Sequence, residues 1–284
     1  MVEGSCLCGA VSYSVEGPFN SMVSCHCSIC RKHHGSGFAT YVSVPLERFQ
    51  WISGEDKLLK YKSSDQGTRN SCLICGSTVP MPMPQYSTAF VPAGPLAGDL
   101  GIKPRAHIFV GSKAPWYLIT DDLPQHEEYP PEVGAAGIER PRIEARPGTT
   151  AGSCLCGAVG YELTGEPMLM QSCHCTRCRR SRGAAHGTNI FYKPSQFRWT
   201  QGEALVAEYK VPEAKFYTVA FCRQCGGALP KVSEARGIVV IPAGSLDTDP
   251  VMRPQRHIFI NYKASWFDIT DSLPQFAEGP PRPA

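Results

Sequence analysis

Seven cysteines occur in each half of the chain, in three groups whose spacing is typical of metal ligands. The order in both halves is C-x-C, then C-x-C-x-x-C, then C-x-x-C. The sequence shows no secretory signal and no apolar run long enough to span a membrane, so we expect a cytoplasmic protein with reduced thiols. Fourteen cysteines in such a compartment favour bound zinc over a set of disulfides.

The first and last groups of each half together contain the ligands of a closed zinc site. A structural zinc ion is held tetrahedrally by four protein ligands, commonly two pairs of cysteines. The two predicted closed sites consist of Cys6, Cys8, Cys72 and Cys75, and of Cys154, Cys156, Cys222 and Cys225. A glycine directly follows the second cysteine of each pair, where the chain must turn tightly beside the sulfurs.

The middle group of each half leaves three cysteines that the closed sites do not use. Three protein ligands with an open fourth position are typical of a catalytic zinc ion. The two predicted open sites consist of Cys25, Cys27 and Cys30, and of Cys173, Cys175 and Cys178. Because the spacing alone does not establish an open position, a closed site completed by His107 or His257 is the alternative.

Three thiolate ligands restrict the chemistry of such an open site. Zinc bound to three thiolates has a net negative charge and is a weak Lewis acid, so it suits a soft thiol as its fourth ligand. A bound thiolate would increase the negative charge and require positive neighbours. We predict that role, including contacts with the substrate, for the basic residues directly after the two middle groups, namely Arg31, Lys32, Arg179 and Arg180.

The chain is an internal duplication, which determines how these sites are distributed. GSCLCGAV occurs at 4–11 and again at 152–159, and HIF occurs at 107–109 and again at 257–259. We predict two domains, at 1–126 and 150–284. An exposed linker rich in proline, glycine and charge is predicted between them, at 127–149.

The local patterns predict strands in preference to helices. Short runs of β-branched and aromatic residues, such as FATYVSV and IVVIP, are bounded by glycine or proline. We predict mainly antiparallel β domains with one short helix after each middle cysteine group. The repeated tryptophans, including Trp116 and Trp266, are predicted to lie in the core, and Asp121 and Asp271 in turns or caps.

The ordered motifs resemble those of the glutathione-dependent formaldehyde-activating enzyme family, which includes the centromere protein V group. They are GSCLCGAVxY, SCHCxxCR, CxxCG, PAGxL and HIFxxxKAxWxxITDxLPQ, and they cover nearly all of both halves. The resemblance implies two Mss4-like zinc-binding β domains in tandem, each with up to two Zn²⁺ ions. It implies that the closed sites are structural and the open sites catalytic. It also implies glutathione as co-substrate and a carbon–sulfur lyase reaction, in which the thiol adds to formaldehyde or is released from it.

The two halves depart from the family pattern at different places. Ser71 replaces an aromatic residue, AGPLAGD stands at 93–99 in place of AGSLD, and the second half diverges over 179–192. We expect these changes to lie at the substrate pocket and to alter the substrate.

Several functions therefore stay open at this point. They are an enzyme acting on a larger glutathione conjugate or thioether, a noncatalytic glutathione or zinc carrier, and a zinc-stabilised interaction module. A net charge of only +3 argues against a nucleic-acid partner. No membrane partner is predicted, and homodimerisation is left open.

Overall fold

The computed structural model describes residues 1–65, 67–131 and 144–281, and these residues are mainly β. The elements of the first half are β1 (Val2–Ser5), β2 (Ser12–Val15), β3 (Ser21–Cys25), α1 (Ser28–His34), β4 (Ala39–Pro45), β5 (Phe49–Ser53), β6 (Leu58–Lys62), β7 (Thr68–Cys72), β8 (Thr78–Val79), β9 (Met81–Met83), β10 (Thr88–Pro92), β11 (His107–Ile108) and β12 (Gln125–His126). Those of the second half are β13 (Thr149–Ser153), β14 (Gly160–Thr164), β15 (Leu169–Cys173), α2 (Thr176–Arg182), β16 (Gly187–Tyr192), β17 (Phe197–Gln201), β18 (Val206–Lys210), β19 (Thr218–Cys222), β20 (Ala228–Leu229), β21 (Lys231–Ser233), β22 (Ile238–Pro242) and β23 (His257–Ile258). The predicted fold class is confirmed.

Each half contains the same three sheets, and each sheet carries one cysteine group. In the first half, the turn between β1 and β2 in sheet β1-β2-β5 holds the C-x-C pair, and the turn after β7 in sheet β6-β7-β8 holds the C-x-x-C pair. The middle group begins at the end of β3, in the sheet β12-β11-β3-β4-β10-β9. The corresponding sheets of the second half are β13-β14-β17, β18-β19-β20 and β21-β22-β16-β15-β23. The last has five strands where the first half has six, because an isolated bridge between His257 and Gln275 replaces the pairing with β12.

The strands form because their apolar residues alternate with a period of two. In β22, Val239 and Ile241 are fully buried, whereas Val240 between them is only partly buried. This alternation places one face of the sheet against the core.

The two helices are only one to two turns long and begin inside the middle cysteine groups, earlier than the sequence predicted. Cys27 is the N-cap of α1, and its Sγ accepts a hydrogen bond from the Cys30 amide at 3.4 Å. Gly35 ends the helix with φ of 62°, and Cys175 and Gly183 do the same for α2. Helices of this length are unstable in isolation. Tertiary packing and the hydrogen bonds of the N-cap cysteines must therefore stabilise them.

Each half completes the hydrophobic core of the other half. Trp116 of the first half, 1% exposed, lies in a core cluster with Tyr161 and Ile190 of the second. Conversely, Trp266, 2% exposed, lies in a cluster with Tyr13 of the first half. Trp116 and Trp266 are therefore core residues, as predicted, but each belongs to the core of the opposite half. Trp51 and Trp199, also predicted to lie in the core, are only partly buried.

The turns of the two closed cysteine sites also pack across the interface. A Cβ on Gly76 would overlap the ring of Phe221, and a Cβ on Gly226 would overlap the side chain of Ser71. Ser71 is the counterpart of Phe221 and is fully buried. Ser71 thus lies at the interface between the halves, and its predicted place at a substrate pocket stays a prediction.

Shared cores bear on the predicted domain boundaries. The boundaries at 126 and 150 stay a prediction, and residues 132–143 of the predicted linker lie outside the described residues. Of the helices in the described part of the chain, none is long and apolar enough to cross a membrane.

Because the cores are shared, we predict that the two halves unfold together. Trp116→Ala should lower the free energy of unfolding by about 3–5 kcal/mol, the usual cost of removing a buried aromatic side chain. Urea denaturation followed by circular dichroism should show one transition that shifts as a whole. Leu118→Ala is the control, because Leu118 lies in the same segment but is 68% exposed and should change stability by less than about 0.5 kcal/mol. Two separate transitions, with only one displaced by Trp116→Ala, would contradict reciprocal core completion.

Candidate metal centres

The fourteen cysteines form four clusters, and these are the groupings that the spacing predicts. Within each cluster all sulfur atoms lie within 4.8 Å of one another. Tetrahedral zinc with Zn–S bonds of about 2.3 Å places its sulfurs about 3.8 Å apart. The Sγ atoms of Cys6 and Cys8 are 3.5 Å apart, and those of Cys8 and Cys72 are 3.8 Å apart. The sulfur positions therefore fit a zinc ion.

Backbone amides around the sulfurs favour the thiolate form that a metal requires. The Val11 amide donates to Cys6 Sγ at 3.3 Å, and the Val159 amide donates to Cys154 Sγ at the same distance. Ser77 Oγ lies 3.2 Å from Cys75 Sγ. Such donors stabilise negative charge on sulfur.

In both three-cysteine clusters the central cysteine is the most readily ionised. Hydrogen bonds with Cys25 and Cys30 hold the pKa of Cys27 well below its usual range, although burial opposes this. Hydrogen bonds with Cys173 and Cys178 lower the pKa of Cys175 to about 3. Each cluster thus has a thiolate at its centre, which suits a cation bound by all three sulfurs.

Neither three-cysteine cluster has a fourth side-chain ligand within the described ranges. No histidine, cysteine or carboxylate of those ranges joins either set of sulfurs. His107, the candidate for closing the first cluster, uses both ring nitrogens elsewhere: Nδ1 lies 2.8 Å from His26 Nε2, and Nε2 lies 3.0 Å from the Asp121 carboxylate. The second half repeats these contacts with His174, His257 and Asp271. The arrangement therefore favours the open form over the closed alternative.

The chain from Asp121 through His107 to His26 fixes the loop between the first two cysteines of the cluster. His107 Nε2–H donates to the carboxylate, so its Nδ1 must accept from His26 Nε2–H. Burial lowers the pKa of His26 to about 3. Asp121 also accepts from the Leu123 amide at 3.0 Å, which is the predicted capping role. The hydrogen bonds that connect His26, His107 and Asp121 were not predicted from the sequence, although histidine and aspartate have the same separation in both halves.

The basic residues after each middle group point toward the opposite half. Lys32 is 5% exposed, and its Nζ lies 2.7 Å from Asp247 and 2.7 Å from Ser153 Oγ. Asp247 belongs to the AGSLD segment, and Gly94 of the divergent segment at 93–99 accepts a hydrogen bond from Arg179, so both segments contact the other half. The predicted place of segment 93–99 at a substrate pocket stays a prediction.

The equivalent residues of the second half make corresponding contacts with the first. Arg180 Nη2 donates to Ser5 Oγ at 2.8 Å, and Arg179 Nη1 donates to the Gly94 carbonyl at 3.1 Å. Arg31 is 4% exposed. The divergence over 179–192 therefore also falls on the interface. The predicted role of these residues as glutathione contacts stays a prediction, and Lys32, Arg179 and Arg180 make polar contacts with the other half.

A different cation lies beside the first cluster. Arg69 Nη2 lies 3.9 Å from Cys30 Sγ, and its Nη1 lies 3.3 Å from Met81 Sδ. Arg69 is directed there by strand pairing: it stands opposite Tyr61 in the β6–β7 ladder, and Tyr61 packs against the same cluster. A single arginine in a short strand gave no sequence signal for this role.

The second cluster has a neutral donor in the corresponding place. Tyr217 Oη lies 3.6 Å from Cys178 Sγ and 3.0 Å from Ser181 Oγ. Burial, with the negative charge of Cys178, raises the pKa of Tyr217 well above its usual range, so the phenol remains protonated. The two clusters thus share their cysteines but differ in their neighbours.

Comparison with known proteins shows that one family model matches both halves of the chain. The sequence model described as glutathione-dependent formaldehyde-activating enzyme matches residues 1–112 and 149–262. A protein of Halomonas elongata, provisionally named as such an enzyme, is 31% identical over 131 residues, which are 42% of this chain and 81% of that protein. A crystal structure of a Rhodobacter sphaeroides protein is 25% identical, covers 34% of this chain and 89% of that chain, and aligns with a TM-score of 0.30.

The geometry of the clusters predicts four zinc ions per chain. Elemental analysis of the purified protein should find four, and Cys27→Ser should reduce the number to about three because it removes one ligand from an open site. Cys72→Ser should instead destabilise the fold, since the closed site joins two hairpins. A content of two zinc ions in the unsubstituted protein would show that the open clusters do not retain metal.

The buried pair between the halves gives a second prediction. Lys32→Met should lower the free energy of unfolding by about 3–5 kcal/mol, because it leaves the buried Asp247 carboxylate without a counter-charge. Adding Asp247→Leu should recover a large part of that loss, which a double-mutant cycle of urea denaturation would measure. Additive losses would show that the two charges do not interact.

Proposed function

Because the chain belongs to the glutathione-dependent formaldehyde-activating enzyme family, we propose that it is a zinc-dependent carbon–sulfur lyase. It joins glutathione to formaldehyde to form S-(hydroxymethyl)glutathione and catalyses the reverse release. The observation that carries this proposal is the pair of three-cysteine clusters with no fourth side-chain ligand in the described ranges. A reaction that depends on reduced glutathione suits the cytoplasm, the compartment that the cysteine content predicts.

The ligand set supports a thiol as the exchangeable partner. Cys25, Cys27 and Cys30 would hold a zinc ion, which would supply the positive charge that favours the thiolate form of glutathione. These three residues are only 2–9% exposed, so their sulfurs are shielded from bulk water. Arg69 beside Cys30 offsets part of the negative charge of the cluster.

The bond changes of the reaction balance without a further reactant. The glutathione thiol releases its proton to solvent, and its sulfur lone pair forms a bond to the carbonyl carbon of formaldehyde. The carbonyl π electrons move to oxygen, which takes up a proton from solvent. Nothing is oxidised or reduced, and the reverse sequence regenerates both reactants.

The closed clusters have a supporting role in this proposal. Cys6 and Cys8 lie in one hairpin turn, and Cys72 and Cys75 lie in another, so a shared zinc ion fixes the relative position of two sheets. Residue Arg69 lies in the strand that ends at Cys72. The closed site thereby positions the strand that delivers this cation to the open cluster.

We predict that the double variant Cys27→Ser/Cys175→Ser loses catalysis with the fold intact. Two-dimensional NMR exchange spectroscopy on glutathione and formaldehyde measures the forward and reverse rates above the spontaneous reaction. The enzymatic excess should fall by about 100-fold or more, since residues that act as a unit cannot replace each other. Leu118→Ala is the control with both clusters intact.

The other outcomes identify the alternatives. Saturable glutathione binding without a rate above the spontaneous one would indicate a carrier. A rate with a larger S-conjugate and none with formaldehyde would indicate a different carbon–sulfur substrate. Absence of both binding and turnover would reject the proposed function and favour an interaction module.

A further inference from the structure

The two open clusters differ in the one side chain that donates to their sulfurs. In the first cluster the donor is the Arg69 guanidinium on Cys30, and in the second it is the Tyr217 hydroxyl on Cys178. The counterpart of Arg69 in the second half is Val219, and the counterpart of Tyr217 in the first half is Gly67. Each half therefore lacks the donor that the other half has.

The surroundings of Arg69 show which negative groups balance the charge of its guanidinium. Its two terminal nitrogens contact sulfur atoms, those of Met81 and Cys30, and its Nε is buried without a hydrogen-bond partner. No carboxylate forms an ion pair with it within residues 1–65, 67–131 and 144–281. A desolvated guanidinium without a counter-charge is costly, so the thiolates of this cluster must supply that charge.

Two of the cations in the helix that follows the second cluster, Arg179 and Arg180, donate hydrogen bonds to groups of the other half. Arg179 donates to the Gly94 carbonyl of the other half. The negative charge of Cys178 acts on Arg182 without a hydrogen bond to sulfur, and burial lowers the pKa of Arg182. The group in contact with sulfur remains the neutral Tyr217.

A second difference lies at the rim of the clusters. Tyr129 packs edge-on against Phe109, with ring centroids 4.6 Å apart, and Phe109 belongs to the core cluster that contains Cys25. The counterpart of Tyr129 is Gly279, so the second cluster lacks this phenol. Consistently, Cys175 is partly exposed, whereas Cys27 is buried.

We propose that the cluster of Cys25, Cys27 and Cys30 is the site at which this protein binds the glutathione thiolate tightly, and that Arg69 selects for the anionic sulfur there. The cluster of Cys173, Cys175 and Cys178 binds the same thiol more weakly. This inference rests on the proposed function. A bound glutathione thiolate would add a second negative charge to a site of three cysteine thiolates and zinc. Among the hydrogen bonds of residues 1–65, 67–131 and 144–281, the cation that contacts a sulfur of an open cluster is Arg69 of the first half. Arg69 is a positioning and charge-balancing residue, because it acts through the sulfurs and not on the reacting carbon.

Cobalt-substituted protein provides a test that does not depend on turnover. The chain is loaded with Co²⁺ and titrated with glutathione, and the sulfur-to-cobalt charge-transfer absorption reports the new thiolate ligand. We expect one tight and one weaker glutathione per chain. Cys175→Ser should leave the tight phase in place, and Cys27→Ser should remove it.

Truncation at equivalent strand positions isolates the role of Arg69. Arg69→Ala should weaken the tight phase roughly 10- to 100-fold, the range expected for loss of a charge-assisted contact. Val219→Ala removes the side chain at the same position of the other half and should leave the tight phase unchanged. Arg69→Lys retains the charge and should recover most of the affinity, which a purely structural role would not produce. If Arg69→Ala fails to fold, Arg69→Gln removes the charge but keeps most of the side-chain volume, and it should weaken the tight phase where Arg69→Lys does not. Equal affinity in Arg69→Gln and Arg69→Lys would overturn the role of Arg69.

The outcomes separate this inference from the proposed function. Two phases of equal affinity, or equal losses in Arg69→Ala and Val219→Ala, would overturn the inference and leave the function standing. A tight phase lost in Cys175→Ser would assign the site to the other half and also overturn it. No cobalt–thiolate absorption change at either cluster in the unsubstituted protein would reject both.

Discussion

The reciprocal burial of Trp116 and Trp266 is the constraint on which the rest of the structure depends. Since each tryptophan lies in the core of the opposite half, neither half has a complete core without the other. The middle cysteine groups lie at the ends of strands that are held by these cores, and the helices that follow them pack on the opposite half. Metal-site geometry and the joining of the halves are therefore consequences of the same packing.

The metal ligands are the part of the molecule that the sequence determines most fully. Their spacing leads to four clusters, because C-x-C and C-x-x-C turns bring sulfurs together whatever the surrounding fold is. Strand positions follow similarly from the alternation of buried residues, as in β22. The family motifs also assign the first and last cysteine groups of each half to one metal site, and they indicate thiol chemistry. The distances between the sulfurs of Cys6, Cys8 and Cys72 agree with that assignment.

The residues around the clusters could not be predicted in the same way, because they depend on tertiary contacts. Lys32 lies two residues after Cys30 in the sequence. Its side chain nevertheless forms an ion pair with Asp247 of the other half. Arg69 is distant in sequence from Cys30, and only the strand pairing of β6 with β7 brings it to that sulfur. The contacts of Ser71 and Asp247 with the opposite half could not be predicted, because a single sequence does not reveal that the halves pack on each other.

The ion pair of Lys32 with Asp247 also bears on the history of the duplication. In a symmetric dimer every substitution occurs twice, but in a fused chain each half can change alone. The counterpart of Asp247 is Ala97, and the counterpart of Lys32 is Arg180, which contacts Ser5 and a backbone carbonyl. A dimer of two first halves would bury each Lys32 opposite an alanine, whereas a dimer of two second halves would retain a carboxylate for each arginine. The two halves therefore differ in what fusion requires of them. The second half retains both members of this charge pair, whereas the first half depends on the second for the carboxylate that pairs with Lys32.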